Sequence, residues 1–274
     1  MRIDLHTHSS ASDGTEAPAR VMRRAADAGL ALVALTDHDT LAGHAEARAA
    51  LPPGLALVPG MELSSRLTGR SVHLLCYGVD PANAALAAEC EAIRTDRLRR
   101  GQAMVGKLRD LGVDITWPQV VALADGGVVG RPHVARAMVE AGAVSRPQEA
   151  FGDAWIGVGG PAYVRRYALD PVLAIGLVKA AGGVAVLAHP GAVSRGWKIP
   201  GEVIAALARA GLAGLEIDHP DHDQDERRRL ATLAADLDLV PTGGSDDHGG
   251  LTGYRIGCEV TAPDSFERLM SRRA

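Results

Sequence analysis

The sequence predicts an α/β fold in which seven short strands alternate with helices and one helical subdomain interrupts the pattern. Three observations lead to this prediction. Short β-branched or apolar runs alternate with alanine-rich segments, which is typical of parallel strands joined by crossover helices. Histidine, aspartate and glutamate follow most of the runs, and active sites are built at that edge when such units close into a barrel. Between about residues 83 and 165 the strand signal disappears.

The strands are predicted from short runs of β-branched and other apolar residues. In chain order they are Arg2–His6, Leu32–Thr36, Ala56–Pro59, Ser71–Tyr77, Val184–Ala188, Gly214–Ile217 and Leu239–Thr242. The helices are predicted from the alanine-rich segments between most of these strands and after the last one. In chain order they are Glu16–Ala28, Leu41–Ala50, Pro171–Ala181, Gly201–Ala210, Asp225–Asp236 and Pro263–Arg273.

Length and composition restrict the class of protein. A chain of 274 residues with 47% hydrophobic and 23% charged residues suits one large domain or one domain with an insertion, and it excludes a disordered or collagen-like chain. No apolar stretch reaches membrane-spanning length and the first residues do not resemble a secretory signal, so no membrane association is expected. Three widely spaced cysteines without a CxxC pair argue against a disulfide framework, and we expect a cytoplasmic protein.

Residues 83–165 are predicted to form an inserted helical subdomain, and residues 1–82 and 166–274 the strand-containing domain. One long helix of the insert is basic, because a single acid, Asp96, accompanies six basic residues: Arg94, Arg97, Arg99, Arg100, Lys107 and Arg109. Two interpretations stay open for it, a solvated helix face and a clamp for a phosphorylated substrate.

A second feature of the insert is the sequence Gly130-Arg131-Pro132-His133. Pro132 suits the first position of a helix, where the backbone N–H groups are unpaired and attract anions. Arg131 and His133 would converge on the same anion through charge-assisted hydrogen bonds. The motif therefore predicts a local anion site.

A set of histidines and carboxylates predicts a metal centre. His6 and His8 alternate by two in a strand, so both side chains point to one face and can reach one cation. Seven further candidates lie within or just after later strands or in the loop after the first: Asp13, His38, Glu62, His73, His189, Asp246 and His248. Burying a polar group without a partner costs roughly several kcal/mol of free energy, as transfer to an apolar medium does. A shared polynuclear metal site would satisfy all nine.

The same motifs make the chain resemble the PHP (polymerase and histidinol phosphatase) family of phosphoesterases. The resemblance rests on Asp4-Leu-His6-Thr-His8-Ser, Thr36-Asp-His38-Asp, Gly60-Met-Glu62-Leu, His73, Ala188-His189-Pro190 and Ser245-Asp-Asp-His248, and it covers essentially the whole chain. It implies a distorted seven-stranded β/α barrel with a trinuclear centre at its mouth. The implied ligands are His6, His8, Glu62 and Asp246 for the first ion, Glu62, His73 and His189 for the second, and Asp13, His38 and His248 for the third.

Mixed imidazole and carboxylate ligands suit manganese, iron or zinc, and we expect three divalent ions, with manganese preferred. The chemistry that follows is hydrolysis of a phosphate ester by a metal-bridging hydroxide. A protein group must also place the phosphate and protonate the leaving group. The candidates are His219 and His222 after the sixth strand, with His222 favoured by the resemblance.

The insert makes the chain similar to the stand-alone PHP subfamily that acts on nucleotides. This implies removal of the 3′-phosphate from nucleoside 3′,5′-bisphosphates, and trimming of short 5′-phosphorylated RNA. A bisphosphate needs a second anion site, for which we expect Arg131, His133 and the basic helix with Arg97 and Arg100. Arg195, in the loop after His189, is a separate candidate for binding a substrate phosphate, and a surface role stays open for it. With 3% aromatic residues and a net charge of −4, the chain is not expected to bind long nucleic acid. The sequence indicates no obligatory protein partner.

Three alternatives remain at this point. The first is a histidinol-phosphate or other small-monoester phosphatase, for which the arginines of the insert would be incidental. The second is a non-catalytic metal-binding module, against which the full ligand set argues. The third is an amidohydrolase, which would usually need a metal-bridging lysine at a strand end. Lys107, Lys179 and Lys198 lie instead in helical or loop segments.

Overall fold

The chain divides into two compact units. The computed structural model describes residues 1–124, 129–192, 197–253 and 255–273. One unit comprises Met1–Cys90 and Ala168–Ala274, and the other comprises Glu91–Tyr167. We refer to them as the barrel unit and the helical unit.

The barrel unit contains one seven-stranded sheet whose strands follow one another in chain order. The strands are β1 (Ile3–Asp4), β2 (Leu32–Leu35), β3 (Ala56–Leu67), β4 (Arg70–Tyr77), β5 (Val184–Leu187), β6 (Gly214–Asp218) and β7 (Val240–Gly243). Beyond β1 and β7, His8 donates its backbone N–H to Asp247 O (2.9 Å) and Asp246 donates to His6 O (2.9 Å). These bonds draw the first and last strands together, so the sheet is a nearly closed, distorted barrel and the predicted fold class is confirmed.

The prediction of parallel strands throughout is wrong at β4. This strand pairs antiparallel with both β3 and β5, whereas the other neighbouring strands are parallel. The cause is a two-residue turn in which Thr68 and Gly69 both have positive φ angles, 46° and 89°. Such a turn matches the twist of a hairpin and leaves no room for a crossover helix. As a result β3 continues to Leu67, and Glu62 lies within the strand and not beyond its end.

The helices surround the sheet or build the helical unit. They are α1 (Pro18–Asp27), α2 (His44–Ala49), α3 (Ala84–Asp110), α4 (Trp117–Ala122), α5 (Arg131–Glu140), α6 (Pro147–Ala150), α7 (Pro171–Ala180), α8 (Gly201–Arg209), α9 (Gln224–Asp236) and α10 (Pro263–Met270). Proline in the first turn begins several of them, and Asp170 and Asp223 cap α7 and α9 by accepting backbone N–H bonds. No described helix has the length and apolarity to cross a membrane.

The apolar core of the barrel unit lies directly beneath the polar residues. Buried side chains from nearly every strand form it, including Ile3, Val58, Val186 and Val240. Tyr77 is fully buried and its hydroxyl donates to the carbonyl of Leu5 (2.7 Å). Because side chains alternate along a strand, Leu75 and Tyr77 share a face of β4 with His73. That face therefore passes from the core into the polar cluster described next. The helical unit has a separate core.

Candidate metal centre

The structure brings the nine predicted metal ligands into one cluster in the barrel unit. Strand ends supply most of them, while Glu62 and His73 come from the adjacent antiparallel strands β3 and β4. Ligand atoms of eight of them, all except His189, form three overlapping groups, each with its atoms within 4.8 Å of one another. We call them the inner, middle and outer groups.

The inner group consists of His6, His8, Glu62 and Asp246, and all four residues are buried. His6 Nε2 lies 3.2 Å from Asp246 Oδ1. His8 Nε2 lies 3.2 Å from Glu62 Oε2 and 3.3 Å from Asp246 Oδ1. Two imidazoles and two carboxylates thus converge on one point, which is a ligand set suited to a divalent transition metal.

The middle group consists of His38, Glu62 and His73. Oε1 of Glu62 lies 2.7 Å from both His73 Nδ1 and His189 Nε2, and Oε2 lies 3.2 Å from His38 Nδ1. Glu62 therefore joins the inner and middle groups. His189, expected here as a ligand, contacts Glu62 but lies outside the set whose atoms are all within 4.8 Å, and His38 takes that place.

The outer group consists of Asp13, His38 and His248, together with His8. Asp13 lies 3.4 Å from His248 Nε2 and 3.6 Å from His38 Nε2. Its side chain is 34% exposed, whereas the carboxylates of Glu62 and Asp246 are 1% and 9% exposed. The outer group is accordingly the one most open to solvent.

Buried atoms without hydrogen bonds show that this cluster fits metal ions. Among the described residues, six ligand atoms of the cluster are buried and have no hydrogen-bond partner: His6 Nε2, His8 Nδ1, His8 Nε2, His38 Nδ1, Glu62 Oε2 and Asp246 Oδ1. Each would cost free energy if left unpaired, and their close approaches lack hydrogen-bond geometry. Lone pairs that face one another in this way are satisfied by cations held between them.

The cluster is a strong electrostatic site. Burial opposes the charged form of these groups, and the facing partners outweigh it at His8, Glu62 and Asp246 but not at His38. Carboxylates of Asp246 and Glu62 raise the pKa of His8 to about 10. Imidazoles, with His38 first, hold the pKa of Glu62 well below its usual range despite burial, and His6 does the same for Asp246. Burial lowers the pKa of His38 to about 3. The site thus favours ionised carboxylates, the form that ligates metals.

Three residues at strand ends adopt left-handed backbone conformations that L-residues seldom take. The φ angles are 31° at His189, 52° at Asp246 and 55° at Asp39. Hydrogen bonds hold them: His189 N–H donates to Glu216 Oε2 (2.7 Å), and Asp39 Oδ1 accepts from the N–H of Ser64 (2.7 Å). Such conformations cost roughly 1–3 kcal/mol each and cluster at functional sites. Two of the three residues, His189 and Asp246, are themselves predicted metal ligands.

Glu216 is a component of the site that the sequence analysis missed. It is fully buried in β6, and its Oε1 lies 2.9 Å from His6 Nδ1 while Oε2 accepts the backbone N–H of His189. A carboxylate on the second nitrogen of a ligating imidazole fixes the ring orientation and raises its basicity. The signal was a charged residue between Leu215 and Ile217 in an otherwise apolar strand.

The two proposed acid residues have different surroundings. His222 Nδ1 lies 2.9 Å from the carbonyl oxygen of Ile217 and must donate to it, and His222 Nε2 accepts the N–H of Gly191 (3.1 Å). His219 Nδ1 accepts the N–H of Asp221 (3.0 Å), which leaves its proton on Nε2, 3.3 Å from Asp246 Oδ2. Only His219 therefore directs an N–H toward a predicted metal ligand.

The helical unit contains a guanidinium cluster around Arg100. Burial, followed by the charges of Arg131 and Arg166, lowers the pKa of Arg100 to about 10. Arg131 begins α5 and lies over the Phe151 ring, 5.3 Å from its centroid. Arg166 was not among the predicted residues, although its neighbour in the sequence is also an arginine.

The other predicted substrate-binding residues are His133, Arg97 and Arg195. His133 Nδ1 accepts the N–H of Gly130 (3.0 Å) at the start of α5. Arg97 is partly buried on α3, one turn before Arg100. Arg195 lies outside the described residues.

Comparison with known proteins gives consistent matches. A family model described as PHP domain matches residues 4–89. The chain is 36% identical to a 3′,5′-nucleoside bisphosphate phosphatase of Chromobacterium violaceum, covering 92% of this chain and 89% of the relative. It is 34% identical to a 5′-3′ exoribonuclease of Haemophilus influenzae, with 96% of each chain covered. A solved structure of a candidate metal-dependent phosphoesterase from Bifidobacterium adolescentis superposes with a TM-score of 0.88 at 36% identity, over 99% of this chain and 96% of that one.

Proposed function

Because this chain belongs to the PHP family, we propose that it is a metal-dependent phosphoesterase that removes the 3′-phosphate from nucleoside 3′,5′-bisphosphates. The metal-dependent part is carried by one observation, the six buried ligand atoms that face one another without hydrogen bonds. The nucleotide part is supported by the C. violaceum relative, which is named for that activity and aligned over most of both chains.

Three divalent ions would be held by the inner, middle and outer groups, with His189 beside the middle group. Imidazole and carboxylate ligands without thiolates favour manganese, with iron and zinc as alternatives. When bound, such ions supply the Lewis acidity that activates water and neutralises phosphate charge. The chain itself then has to orient the ester and hand a proton to its leaving oxygen.

His219 is the better candidate for that proton donor. Its Nε2 carries the hydrogen at neutral charge and lies 3.3 Å from Asp246 Oδ2, whereas His6 and His8 approach Oδ1 of the same carboxylate. His222 has no hydrogen on Nε2 in the hydrogen-bonded arrangement, and burial lowers the pKa of its imidazole further. His222 instead ties Gly191, in the loop after His189, to the end of β6.

The helical unit would bind the phosphate that does not react. Burial, followed by the charges of Arg131 and Arg166, lowers the pKa of Arg100, and a dianion bound among the three guanidinium groups would offset both effects. Guanidinium groups bind phosphate bidentately, which suits recognition of a terminal phosphate. Arg97, one turn before Arg100, and His133, two residues after Arg131, are further candidates for that phosphate.

A second candidate substrate is short 5′-phosphorylated RNA. The observation that favours it is the H. influenzae relative, a named 5′-3′ exoribonuclease aligned over 96% of both chains. An RNA 5′-end presents the same pair of phosphates around one nucleoside.

The three cysteines are unbridged, which supports action in a reducing compartment such as the cytoplasm.

The test is phosphate release by the manganese-loaded protein from four compounds under identical conditions: adenosine 3′,5′-bisphosphate, AMP, histidinol phosphate and a short 5′-phosphorylated RNA. We expect the bisphosphate or the RNA to exceed AMP and histidinol phosphate by orders of magnitude in kcat/KM. A preference for histidinol phosphate would contradict the nucleotide assignment and leave the phosphoesterase chemistry. No hydrolysis of any ester with any divalent metal would contradict both.

A further inference from the structure

We propose that Arg227, held by Glu259, is a positioning residue that fixes His219 for the reaction; the inference rests on the function proposed above. Arg227 lies in the first turns of α9, outside every motif singled out in the sequence. It belongs to a run of three arginines, Arg227 to Arg229, of which only the first reaches the turn that carries His219.

All five N–H donors of the Arg227 guanidinium are used. Nη2 donates to the backbone carbonyl of His219 (2.8 Å), and Nε donates to that of His222 (3.1 Å). The remaining three donate to Glu259 Oε2 (3.0 Å) and Oε1 (2.5 Å) and to Asp218 Oδ1 (3.2 Å). One planar group thereby joins the end of β6, the turn after it and the segment that precedes α10.

Two hydrogen bonds within the turn after β6 also hold His219. His222 N–H donates to the carbonyl of His219 (3.0 Å), so that oxygen accepts one bond within the turn and one from Arg227. Asp221 N–H donates to the ring of His219 (3.0 Å) and sets its tautomer. Fixing the two carbonyls of the turn therefore fixes the direction of the His219 Nε2–H.

In this geometry the Arg227 guanidinium binds the turn and the Glu259 carboxylate orients the guanidinium. Lysine cannot replace Arg227, because an ammonium group has three donors around one atom and no fork that spans two carbonyls and a carboxylate. Glu259 contacts two of the guanidinium nitrogens and orients the plane. Displacement of a reacting group by about 1 Å can reduce turnover on the order of 100-fold, so loosening the turn should be visible in kcat.

The experiment compares R227A, R227K and E259Q with R228A in the metal-loaded full chain. Arg228 is the matched control because it is the next residue on α9, is 69% exposed and pairs only with exposed Asp225 among the contacts described. Each variant is assayed on adenosine 3′,5′-bisphosphate and on 4-nitrophenyl phosphate. The leaving group of the second compound departs without protonation, so its hydrolysis does not need a positioned donor.

We expect R227A to lower kcat for the bisphosphate roughly 100-fold with little change in KM, and kcat for 4-nitrophenyl phosphate less than about threefold. R227K should be similarly impaired, E259Q less so, and R228A unchanged. Added guanidinium should partly restore R227A. Equal losses on both substrates, or loss of bound metal measured by mass spectrometry, would show a merely structural role and overturn the proposal.

A second measurement keeps the inference separate from the proposed function. The imidazole ¹⁵N–¹H signals of the zinc-loaded protein report the environment of His219, which H219N identifies. R227A should shift or broaden that signal, and R228A should leave it in place. If the signal is the same in R227A, the positioning role is wrong, whatever substrate the wild-type protein hydrolyses. If wild-type protein hydrolyses no nucleotide while the signal moves, the function fails and the positioning contact stands.

Discussion

His6 Nδ1 lies 2.9 Å from Glu216 Oε1 in the fully buried interior of the barrel unit. The second oxygen of Glu216 accepts the backbone N–H of His189, so one carboxylate orients a ligand just after β1 and the strained backbone of another after β5. The opposite ring nitrogen of His6 is thereby turned toward Asp246 Oδ1, 3.2 Å away.

Replacing Glu216 by glutamine should weaken metal binding. The amide has one acceptor where the carboxylate has two, so either His6 or the N–H of His189 loses its partner. Removal of such an outer partner typically lowers metal affinity or activity roughly 10- to 100-fold. Calorimetric titration of metal-free protein with Mn²⁺ measures the effect, and E202Q on the exposed face of α8 is the control. An unchanged affinity in E216Q would contradict the orienting role.

Removing Asp13 should empty the outer group while the fold is retained. Asp13 is the most exposed of the predicted ligands and supplies the only carboxylate of that group. We expect D13A to bind one ion fewer, measured by mass spectrometry, and to lose turnover by roughly two orders of magnitude, as when one preorganised catalytic contact is deleted. Its circular dichroism spectrum should match that of the control D27A. Full metal content with full activity would refute the outer site.

The sequence predicted the seven strands and the polar residues at their ends because apolar runs and ligand residues are local signals. It did not predict the direction of β4, since strand propensity carries no direction, although Thr68-Gly69 between two apolar runs was a readable hairpin signal. The roles of Glu216 and Arg227 were not predicted for another reason. Their roles depend on partners far along the chain, His6 and Glu259, which only the folded barrel brings close.

His219 and His222 should be separable by substitution. H219N keeps an acceptor for the N–H of Asp221 and deletes the Nε2–H, so kcat for a nucleotide should fall about 10²- to 10⁴-fold, the range for a lost general acid. H222N should cost about 1–3 kcal/mol of unfolding free energy, because the buried N–H of Gly191 loses its acceptor, while kcat falls less than tenfold. Steady-state kinetics and urea unfolding of both variants decide. The reverse pattern would restore His222 as the acid.

Arg131 should affect a bisphosphate more than a simple ester. A hydrogen bond to a charged group contributes about 1.5–3 kcal/mol, so R131A should raise KM for adenosine 3′,5′-bisphosphate roughly 10- to 100-fold. KM for 4-nitrophenyl phosphate, which has no second phosphate, should change less than about twofold. Arg136 is an exposed arginine on the same helix, and R136A serves as the control. Equal effects of R131A on both substrates would remove the second-phosphate assignment.

His44 should make folding stability depend on pH in a predictable direction. It lies buried in α2 with Nε2 3.0 Å from the carbonyl oxygen of Leu35, and burial lowers the pKa of its imidazole below 6.5. Below that pH the unfolded chain binds a proton that the folded chain resists, so the unfolding free energy falls as the solution is acidified. The slope reaches at most about 1.4 kcal/mol per pH unit for one group.

H44Q keeps a donor for Leu35 and does not titrate, so its stability relative to wild type should rise between pH 7.5 and 5. Urea unfolding of both proteins in EDTA measures the difference while the metal ligands contribute equally. Parallel stability curves would show that His44 is protonated equally easily in both states.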